Sequence, residues 1–327
     1  MPEHDVTFDC MGCEVRLLVG EGGAGGPSAA DAAAEAEAWL HDFDAALSRF
    51  KPDSELVALN ADPREAVPAS PLLRAAVAAA RWAAERSGGL VDPTSVLGPL
   101  EAAGYASSRA GLTPPSLAEA LAAAPPRRAA APNPASRWRE VQADDAAGVV
   151  RRPPGVRIDT GGTGKGLAAD ALAVRFDGRS RFAIDCAGDL RVGGAEASRR
   201  PYDIQALHPL TGEAMRTIRL GTGAVATSGI DSRLWRTADG FAHHVIDPST
   251  GEPAWTGLIS VTALAPTALE AETLTKTALL SGPEGARAVL AGHGGLLVRD
   301  DGDVEPVGTV PGPPPRLRVR MPAAPAR

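Results

Sequence analysis

Apolar and polar residues alternate along the first part of the chain. Between residues 5 and 19, apolar side chains recur at every second position on either side of Met11-Gly12, which predicts a strand with one buried face. The glycine-rich run at 21–28 predicts a loop. A helix is predicted from Ser28, a residue suited to the N-cap, to Leu47. The chain is therefore expected to begin with a strand and a helix joined by a loop.

Strand and helix patterns are mixed along the rest of the chain. A second helix is predicted over 70–87, because Gly88-Gly89 supplies a C-terminal stop. Residues 121–136 are proline-rich and predict an exposed connection. Further strands are predicted over 156–159, 181–186, 202–207, 215–220 and 259–264, and further helices over 165–176, 268–281 and 283–291. Because strands and helices do not alternate strictly as βαβ units, the pattern favours an α+β fold over a doubly wound sheet.

Composition and charge exclude several classes of function. The chain has 327 residues, of which 44% are hydrophobic and 22% charged, as in ordinary soluble globular proteins. Its formal net charge of −7 argues against a general binder of nucleic acid or of anionic membranes. No apolar run approaches the roughly 18–20 residues needed to cross a bilayer, so no membrane span is expected.

The N-terminal sequence and the cysteine content bear on location. The chain starts with acidic residues and lacks the basic-then-apolar order of a signal peptide. Three cysteines, Cys10, Cys13 and Cys186, cannot form a disulfide framework. We therefore expect a cytoplasmic location. Cys10 and Cys13 form a lone CxxC pair, which is weak support for a zinc site or a redox site.

Lysine is rare in this chain. Of 33 basic residues only three are lysines, Lys51, Lys165 and Lys276, and the rest are arginines. A compact ammonium group is not equivalent to a guanidinium group, so a lysine that persists where arginine is the default is a candidate for a chemical role.

Glycines cluster where a predicted strand meets a predicted helix, at 158–170. The strand ends at Asp159, four glycines follow, and the helix begins near Lys165. Such a turn can present backbone N–H groups and an ammonium group to a phosphate. The segment is not a P-loop, which would need glycine at Asp159 and Ser or Thr at Gly166, and it does not match the dinucleotide-binding motif either. A phosphate site and a plain tight turn both remain open.

Two further segments carry candidate chemistry. His243 and His244 adjoin on a predicted strand, so one is expected to face each side of the sheet, and Asp247 begins a turn. A histidine placed in this way can do acid–base work or bind metal, and the alternative is an exposed histidine beside a turn-initiating aspartate. Glu272 and Lys276 lie four residues apart on a predicted helix, where the simplest interpretation is a solvated ion pair.

Together, and in this order, these segments resemble the FAD:protein FMN transferase family, also called the ApbE family. The resemblance covers about residues 6–300. The matching segments are Met11-Gly12, 47–56 with Asn60, 88–94, 98–100, 159–166, 185–189, 226–229, 244–251 and the helix at 270–282. The resemblance implies an α+β fold in which sheet and helices are mixed, with an FAD-binding cleft. We expect this domain over residues 1–308, followed by a proline-rich tail over 309–327.

The resemblance also implies an activity. The family cleaves the pyrophosphate of FAD with the help of Mg²⁺, attaches FMN by a phosphoester to a Thr or Ser of a target protein, and releases AMP. A flavin-acceptor protein is therefore the expected partner, and its identity is open. Two alternatives would use the same pocket, namely an FAD pyrophosphatase that yields FMN and AMP, and a non-catalytic flavin-binding protein.

The resemblance assigns candidate site residues position by position. FAD contacts are expected from Met11, Leu90, Val91, Asp92, Asp159, Lys165 and Ile246. His244 matches the family's functional histidine, and we hypothesise that it positions or deprotonates the incoming hydroxyl with support from Asp247. Asp185 and Ala187 stand where the family has Asn and Gly, which weakens the match at 185–189.

The implied metal site departs from the family pattern. The family uses a backbone carbonyl in the glycine turn, here Gly162, together with an Asp and a Thr four residues apart on the late helix. This chain has Glu272 and Lys276 at those two positions. One interpretation is that the ammonium group of Lys276 acts catalytically in place of Mg²⁺. The other is that the metal is displaced onto Gly162, Glu272 and Thr275.

Overall fold

The computed structural model describes residues 3–312, in which helices and strands follow one another in irregular order. The helices are α1 (Ala29–Leu47), α2 (Glu55–Ala61), α3 (Pro71–Arg86), α4 (Leu97–Ala102), α5 (Leu117–Ala123), α6 (Gly164–Arg175) and α7 (Ala268–Leu290). The strands are β1 (His4–Cys10), β2 (Cys13–Val19), β3 (Ala66–Pro68), β4 (Gln142–Asp144), β5 (Val149–Arg151), β6 (Phe182–Cys186), β7 (Asp189–Gly193), β8 (Tyr202–Leu207), β9 (Ala214–Leu220), β10 (Gly223–Gly229), β11 (Leu234–Thr237), β12 (Gly240–His243), β13 (Leu258–Ala265), β14 (Gly295–Arg299) and β15 (Val304–Val307).

An eight-stranded sheet lies at the centre of the molecule, in the order β1-β2-β6-β7-β10-β13-β14-β15. Each neighbouring pair in it is antiparallel. Helices α1, α6 and α7 pack against this sheet, and a large cluster of buried apolar side chains lies between helices and strands. An antiparallel sheet covered by helices in this way is an α+β arrangement, so the predicted fold class is confirmed.

The single strand predicted over 5–19 is wrong, because the segment is a hairpin of β1 and β2. Met11 and Gly12 form its turn with φ values of 54° and 70°, and a two-residue turn of this kind requires positive φ at both central positions. The apolar residues occupy even positions before the turn and odd positions after it. Val6 and Leu17 are cross-strand partners and share one face of the hairpin.

The main helix predictions are confirmed together with their end signals. Ser28 caps α1, since its side chain accepts a hydrogen bond from the Asp31 N–H at 3.1 Å. Helix α3 ends before Gly88 and Gly89, which both have positive φ. The two helices predicted over 268–281 and 283–291 are the two parts of α7, which breaks at Gly282 with a φ of 68°.

The strand predicted over 156–159 is wrong, because this segment is not paired with any strand within residues 3–312. The side chain of Asn60 takes the place of a partner strand. Its amide donates to the carbonyl of Ile158 at 2.8 Å, and its oxygen accepts from the Ile158 N–H at 2.7 Å. One asparagine thereby satisfies both backbone groups of Ile158 and holds the start of the glycine turn in place.

The predicted exposed connection over 121–136 begins inside α5 and is otherwise mostly exposed coil. It is tied to the body of the molecule by the Ala130 N–H, which donates to the carbonyl of Leu280 at 2.8 Å. The boundary at residue 308 stays a prediction, and residues 313–327 of the predicted tail lie outside the described residues. No helix within residues 3–312 is long and apolar enough to cross a membrane.

Candidate active site

The glycine turn leads directly into α6 and is organised by Asp159. One oxygen of the Asp159 carboxylate accepts the Gly161 N–H at 2.6 Å, and the other lies 3.4 Å from Nε of Arg49. Thr163, the N-cap residue of α6, makes no side-chain capping hydrogen bond. The N–H groups of Gly164 and Lys165, which precede the bonded N–H of Gly166, are the ones at the start of α6 that can meet an anionic ligand.

Gly166 explains why this turn is not a P-loop. A methyl group at this position would lie 2.7 Å from the carbonyl oxygen of Ala268, which is backbone and cannot rotate away. Helices α6 and α7 therefore cross at a point where only glycine fits. The Gly166 N–H donates to Oε2 of Glu272 at 2.9 Å, so this close crossing brings the late helix to the glycine turn.

Two lysine–carboxylate pairs lie at this crossing. Nζ of Lys165 is 2.6 Å from Oδ2 of Asp189, and Nζ of Lys276 is 2.9 Å from Oε1 of Glu272. The carboxylate side chains are 1% and 0% exposed, whereas the lysine side chains are 28% and 18% exposed. Each ammonium group thus rests on a buried carboxylate, and part of each lysine side chain is exposed.

The charges of these groups depend on one another. Burial alone would lower the pKa of Lys165, but Asp189 and Glu272 raise that pKa above its usual value, so Lys165 is protonated. Burial raises the pKa of Glu272, and the nearby Lys276 and Lys165 oppose that rise. The solvated ion pair that the spacing of Glu272 and Lys276 suggested is therefore wrong, because the carboxylate has no exposure to solvent.

His244 has a half-buried imidazole that is neutral. Its backbone N–H donates to the carbonyl of Arg233 at 3.2 Å, and its Nδ1 has no hydrogen-bond partner among the described residues. Burial lowers the pKa of His244 to about 3. The positive charges of Lys276, Arg233 and Lys165 contribute to this low pKa, which places His244 within electrostatic reach of both lysines.

His243 points into the apolar core, and strand β12 ends at this residue. Its ring packs edge-on against Trp255 with centroids 4.6 Å apart, and its Nδ1 accepts the Val245 N–H at 3.3 Å. The expectation of an exposed histidine is therefore wrong for His243, which is 0% exposed.

Asp247 organises the turn that follows His244. Its Oδ1 accepts hydrogen bonds from the Ser249 N–H at 2.9 Å and the Ser249 hydroxyl at 2.7 Å, and its Oδ2 lies 3.6 Å from Nη2 of Arg128. Both carboxylate oxygens therefore have partners other than His244. Any support that Asp247 gives to His244 acts through the shape of this turn.

The residues expected to contact FAD come from several elements around the glycine turn. The alkyl chain of Lys276 and the side chain of Val91 lie beside Gly162, each about 4 Å from where a Cβ of Gly162 would be. Asp92 is buried, and its carboxylate accepts hydrogen bonds from the hydroxyls of Thr94 and Ser95, both at 2.6 Å. Asp92 therefore shapes its loop with both oxygens.

The remaining expected FAD contacts lie on the hairpin and beside the histidines. Met11 is half-buried in the β1–β2 turn, and Nη2 of Arg233 donates to the neighbouring Gly12 carbonyl at 2.7 Å. Arg233 thereby links this turn to His244. Ile246 is buried and forms an isolated bridge with Pro253, and Leu90 is half-buried against a second apolar cluster. The roles of these residues in FAD binding stay predictions.

Sequence reasoning did not select Asp189, Arg233 or Arg49 as site residues. Asp189 lies in a matched segment, but its pairing with Lys165 depends on how α6 packs against β7. Arg49 stacks on the rings of Phe50 and Tyr105, at 4.1 and 4.5 Å, beside Asp159. Its Nη2 has no hydrogen-bond partner in the described part of the chain. The only signal for Arg49 was its place in the segment 47–56.

The predicted metal ligands do not offer a free set of oxygens. Both carboxylate oxygens of Glu272 are engaged, one by Lys276 and one by the Gly166 N–H. The Thr275 hydroxyl donates to the carbonyl of Glu272 at 2.8 Å and lies 2.7 Å from the Ser228 hydroxyl. Within residues 3–312, no group of three or more His, Cys, Asp or Glu side chains is arranged to hold a metal ion. These residues do not fit an Mg²⁺ site.

Fold and site together define an α+β protein with a glycine turn, two ammonium groups and a neutral histidine, suited to an anionic phosphate-bearing ligand. A model of the ApbE family matches residues 11–298, and the chain belongs to this family. The FAD:protein FMN transferase of Klebsiella pneumoniae (strain 342) is 30% identical over 271 residues, which cover 80% of this chain and 74% of that protein. The FAD:protein FMN transferase of Salmonella typhimurium is 28% identical over 269 residues, which cover 80% and 72%.

Solved structures agree with this assignment. The ApbE protein of Thermotoga maritima has a TM-score of 0.74 at 27% identity, covering 93% of this chain and 97% of that one. The flavinyl transferase ApbE of Pseudomonas stutzeri has a TM-score of 0.72 at 22% identity, covering 94% of both chains, and supports the fold. The resemblance seen in the sequence is therefore confirmed.

Proposed function

We propose that this chain is an FAD:protein FMN transferase, which moves FMN from FAD to a Thr or Ser hydroxyl of an acceptor protein. The acceptor oxygen forms a bond to the phosphorus of the FMN half of FAD. The bond from that phosphorus to the bridging oxygen breaks, and AMP leaves with the bridging oxygen. The hydroxyl proton passes to a base, so the reaction needs no oxidant or reductant.

The observation that carries this proposal is the meeting of two ammonium groups and a neutral imidazole at one glycine turn. A diphosphate needs fixed positive charge, which the ammonium groups of Lys165 and Lys276 supply. A hydroxyl nucleophile needs a base, which the neutral imidazole of His244 supplies. Family membership and the names of the relatives support the same assignment.

His244 acts on the acceptor hydroxyl in this proposal. Its pKa of about 3 makes the free protein's imidazole a weak base, and the nearby cations contribute to that low value. Anionic FAD bound to the same lysines offsets their positive charge and raises the basicity of His244. Substrate binding thus prepares the base, and Asp247 holds the turn on which the histidine depends.

The proposed reaction in this chain does not involve Mg²⁺. The carboxylate of Glu272, the strongest of the expected ligands, already holds Lys276 and the Gly166 N–H. The chain's own residues bind the diphosphate, orient it at the start of α6 and accept the hydroxyl proton. The acceptor protein and the cytoplasmic location stay predictions.

The test of this function uses the full chain, FAD and candidate acceptor proteins on a denaturing gel imaged for flavin fluorescence. We expect a fluorescent acceptor band with the wild type. With His244→Ala we expect its formation to slow by about 10²–10⁴-fold, the usual contribution of a general base. His41→Ala, which changes a half-exposed histidine on α1, is the matched control and should leave the rate unchanged.

Two other outcomes would contradict the proposal. AMP release without a fluorescent acceptor, with every acceptor tried, would identify an FAD pyrophosphatase. Tightly bound FAD without AMP release would identify a flavin-binding protein. Full transfer by His244→Ala would remove the histidine from the mechanism.

A further inference from the structure

We propose that Lys276 is the resident cation of this active site, and that this chain cleaves FAD without a divalent metal. The inference rests on the proposed function and deepens it, because it names the group that neutralises the FAD diphosphate. Lys276 projects from α7 toward the glycine turn, with its alkyl chain beside Gly162 and its Nζ on Glu272.

Glu272 is built to hold an ammonium group. Its side chain is 0% exposed, and its two oxygens are taken by the Lys276 ammonium at 2.9 Å and the Gly166 N–H at 2.9 Å. A buried carboxylate that lost its cation would be left as an uncompensated charge, which is strongly unfavourable. Lys276 is therefore the structural counter-ion of Glu272 as well as a cation at the cleft.

The hydroxyl of Thr275 is also engaged in hydrogen bonds within the protein. Its hydroxyl donates to the Glu272 carbonyl one turn back in α7, and it meets the Ser228 hydroxyl of β10 at 2.7 Å. Thr275 is 0% exposed, so a cation at the cleft cannot reach its oxygen without breaking this link between α7 and the sheet. The displaced metal site, with Thr275 as a ligand, is thereby disfavoured.

The Lys276 ammonium retains donors for a substrate. An ammonium group has three N–H donors, and Glu272 is its hydrogen-bond acceptor within residues 3–312. With the Lys276 side chain 18% exposed, donors remain for phosphate oxygens. Lys165 repeats the arrangement on Asp189, so the cleft presents two ammonium groups that both stand on buried carboxylates.

The choice of lysine over arginine fits this role. Three of 33 basic residues are lysines, and two of those three are here. A compact ammonium group concentrates its charge at one point, as a metal ion does, whereas a guanidinium spreads its charge over a plane. In the transfer step Lys276 forms no covalent bond. It donates hydrogen bonds to the non-bridging phosphate oxygens while the acceptor oxygen bonds to phosphorus and AMP departs.

The first experiment measures AMP release from FAD in the presence of an acceptor, with EDTA and with added Mg²⁺. We expect equal rates in both conditions for the wild type. Lys276→Met should slow release by about 10²–10³-fold, the usual cost of removing one charge-stabilising donor. Lys51→Met is the matched control, because Lys51 is a surface lysine paired with Asp44, and it should leave the rate unchanged.

A buried Glu272 without its cation could unfold the Lys276→Met variant. The double variant Glu272→Gln/Lys276→Met removes both charges together, and its thermal melting shows whether the fold persists. A folded double variant that releases AMP at the wild-type rate would overturn the proposal. So would a wild-type activity that EDTA abolishes and Mg²⁺ restores.

A second experiment needs no activity at all. Calorimetric titration of the full chain with Mn²⁺ should give no binding heat for the wild type. Glu272→Asp/Lys276→Thr replaces the ammonium with a hydroxyl beside a shorter carboxylate, and should create a metal site with measurable heat. Mn²⁺ binding by the wild type that Glu272→Gln removes would overturn the proposal. Since this readout involves neither FAD nor acceptor, it stands even if the proposed transfer activity fails.

Discussion

His243 and His244 are neighbours in the chain, yet their side chains lie in different surroundings. His243 packs against Trp255 in the core, whereas His244 is close enough to Lys276 and Lys165 for their charges to affect it. Both imidazoles are held neutral, because burial lowers the pKa of each to about 3. Because each imidazole binds a proton more readily when the protein unfolds, the free energy of unfolding should fall as the pH is lowered.

His243 allows that sensitivity to be measured apart from function. Its pKa is about 3 in the folded protein and about 6.5 when exposed, so the unfolded state binds its proton first as the pH falls. The stabilising contribution of neutral His243 to the free energy of unfolding is fully present above pH 6.5 and is lost as the pH falls toward 3. Between pH 6.5 and pH 3, the wild-type free energy of unfolding should fall by about 1.4 kcal/mol per pH unit because of His243. We expect His243→Leu to lack this part of the fall.

Denaturant unfolding at pH 7 and pH 5 measures this difference. His41→Leu, at a half-exposed position, is the control and should keep the wild-type pH dependence. An unchanged slope in His243→Leu would mean that His243 is protonated in the folded protein.

At the level of residues, the sequence indicated the lysines but not their partners. The rarity of lysine and the resemblance together selected Lys165 and Lys276. Helix periodicity places Glu272 and Lys276 on one face of the helix, but it does not predict that the Glu272 carboxylate is buried. The Lys165–Asp189 pair depends on the packing of α6 against the β6–β7 hairpin, which no local pattern encodes.

Among the elements, the crossing of α6 and α7 positions the site most directly. Gly166→Ala would place a methyl group 2.7 Å from the Ala268 carbonyl oxygen and force the helices apart. We expect a loss of about 1–3 kcal/mol in the free energy of unfolding, the usual cost of overpacking. Gly164→Ala is the matched control, because a Cβ at Gly164 meets no atom within 4 Å in the described structure.

Denaturant unfolding of the two glycine variants tests this crossing. Equal stability of Gly166→Ala and Gly164→Ala would contradict the close approach of α6 and α7.

The β6–β7 hairpin carries a strained residue. Ala187 has a φ of 52° in its turn, a conformation that costs a non-glycine residue about 1–2 kcal/mol. Glycine loses more chain entropy on folding, by about 0.4–1 kcal/mol. We therefore expect Ala187→Gly to stabilise the protein by about 0.5–1 kcal/mol, measured by denaturant unfolding. A destabilised variant would show that the turn does not hold Ala187 in this conformation.

Elements with a clear periodicity were predictable, and those defined by distant partners were not. The helices α1, α3 and α6 follow from apolar spacing and end signals. The change from even to odd apolar positions was a usable signal for the β1–β2 hairpin. The segment 156–159 could not be predicted correctly, because its partner is the side chain of Asn60 rather than a strand.

For the whole molecule, local charge matters more than net charge. The chain carries a formal net charge of −7, yet two ammonium groups, those of Lys165 and Lys276, lie next to the glycine turn. A negative surface is compatible with an anionic substrate when the cations are concentrated where the phosphates lie. The fold class was predictable from the mixed order of elements, whereas the order of strands in the central sheet required the structure.

The central claim is that FMN moves from FAD to a protein hydroxyl in this site. Its most direct test is the intact mass of an acceptor protein after incubation with the full chain and FAD, with AMP measured in the same sample. The account predicts a gain of one FMN less one water per acceptor, one AMP per modified acceptor, and no gain when FMN replaces FAD. AMP release with every acceptor mass unchanged would contradict it.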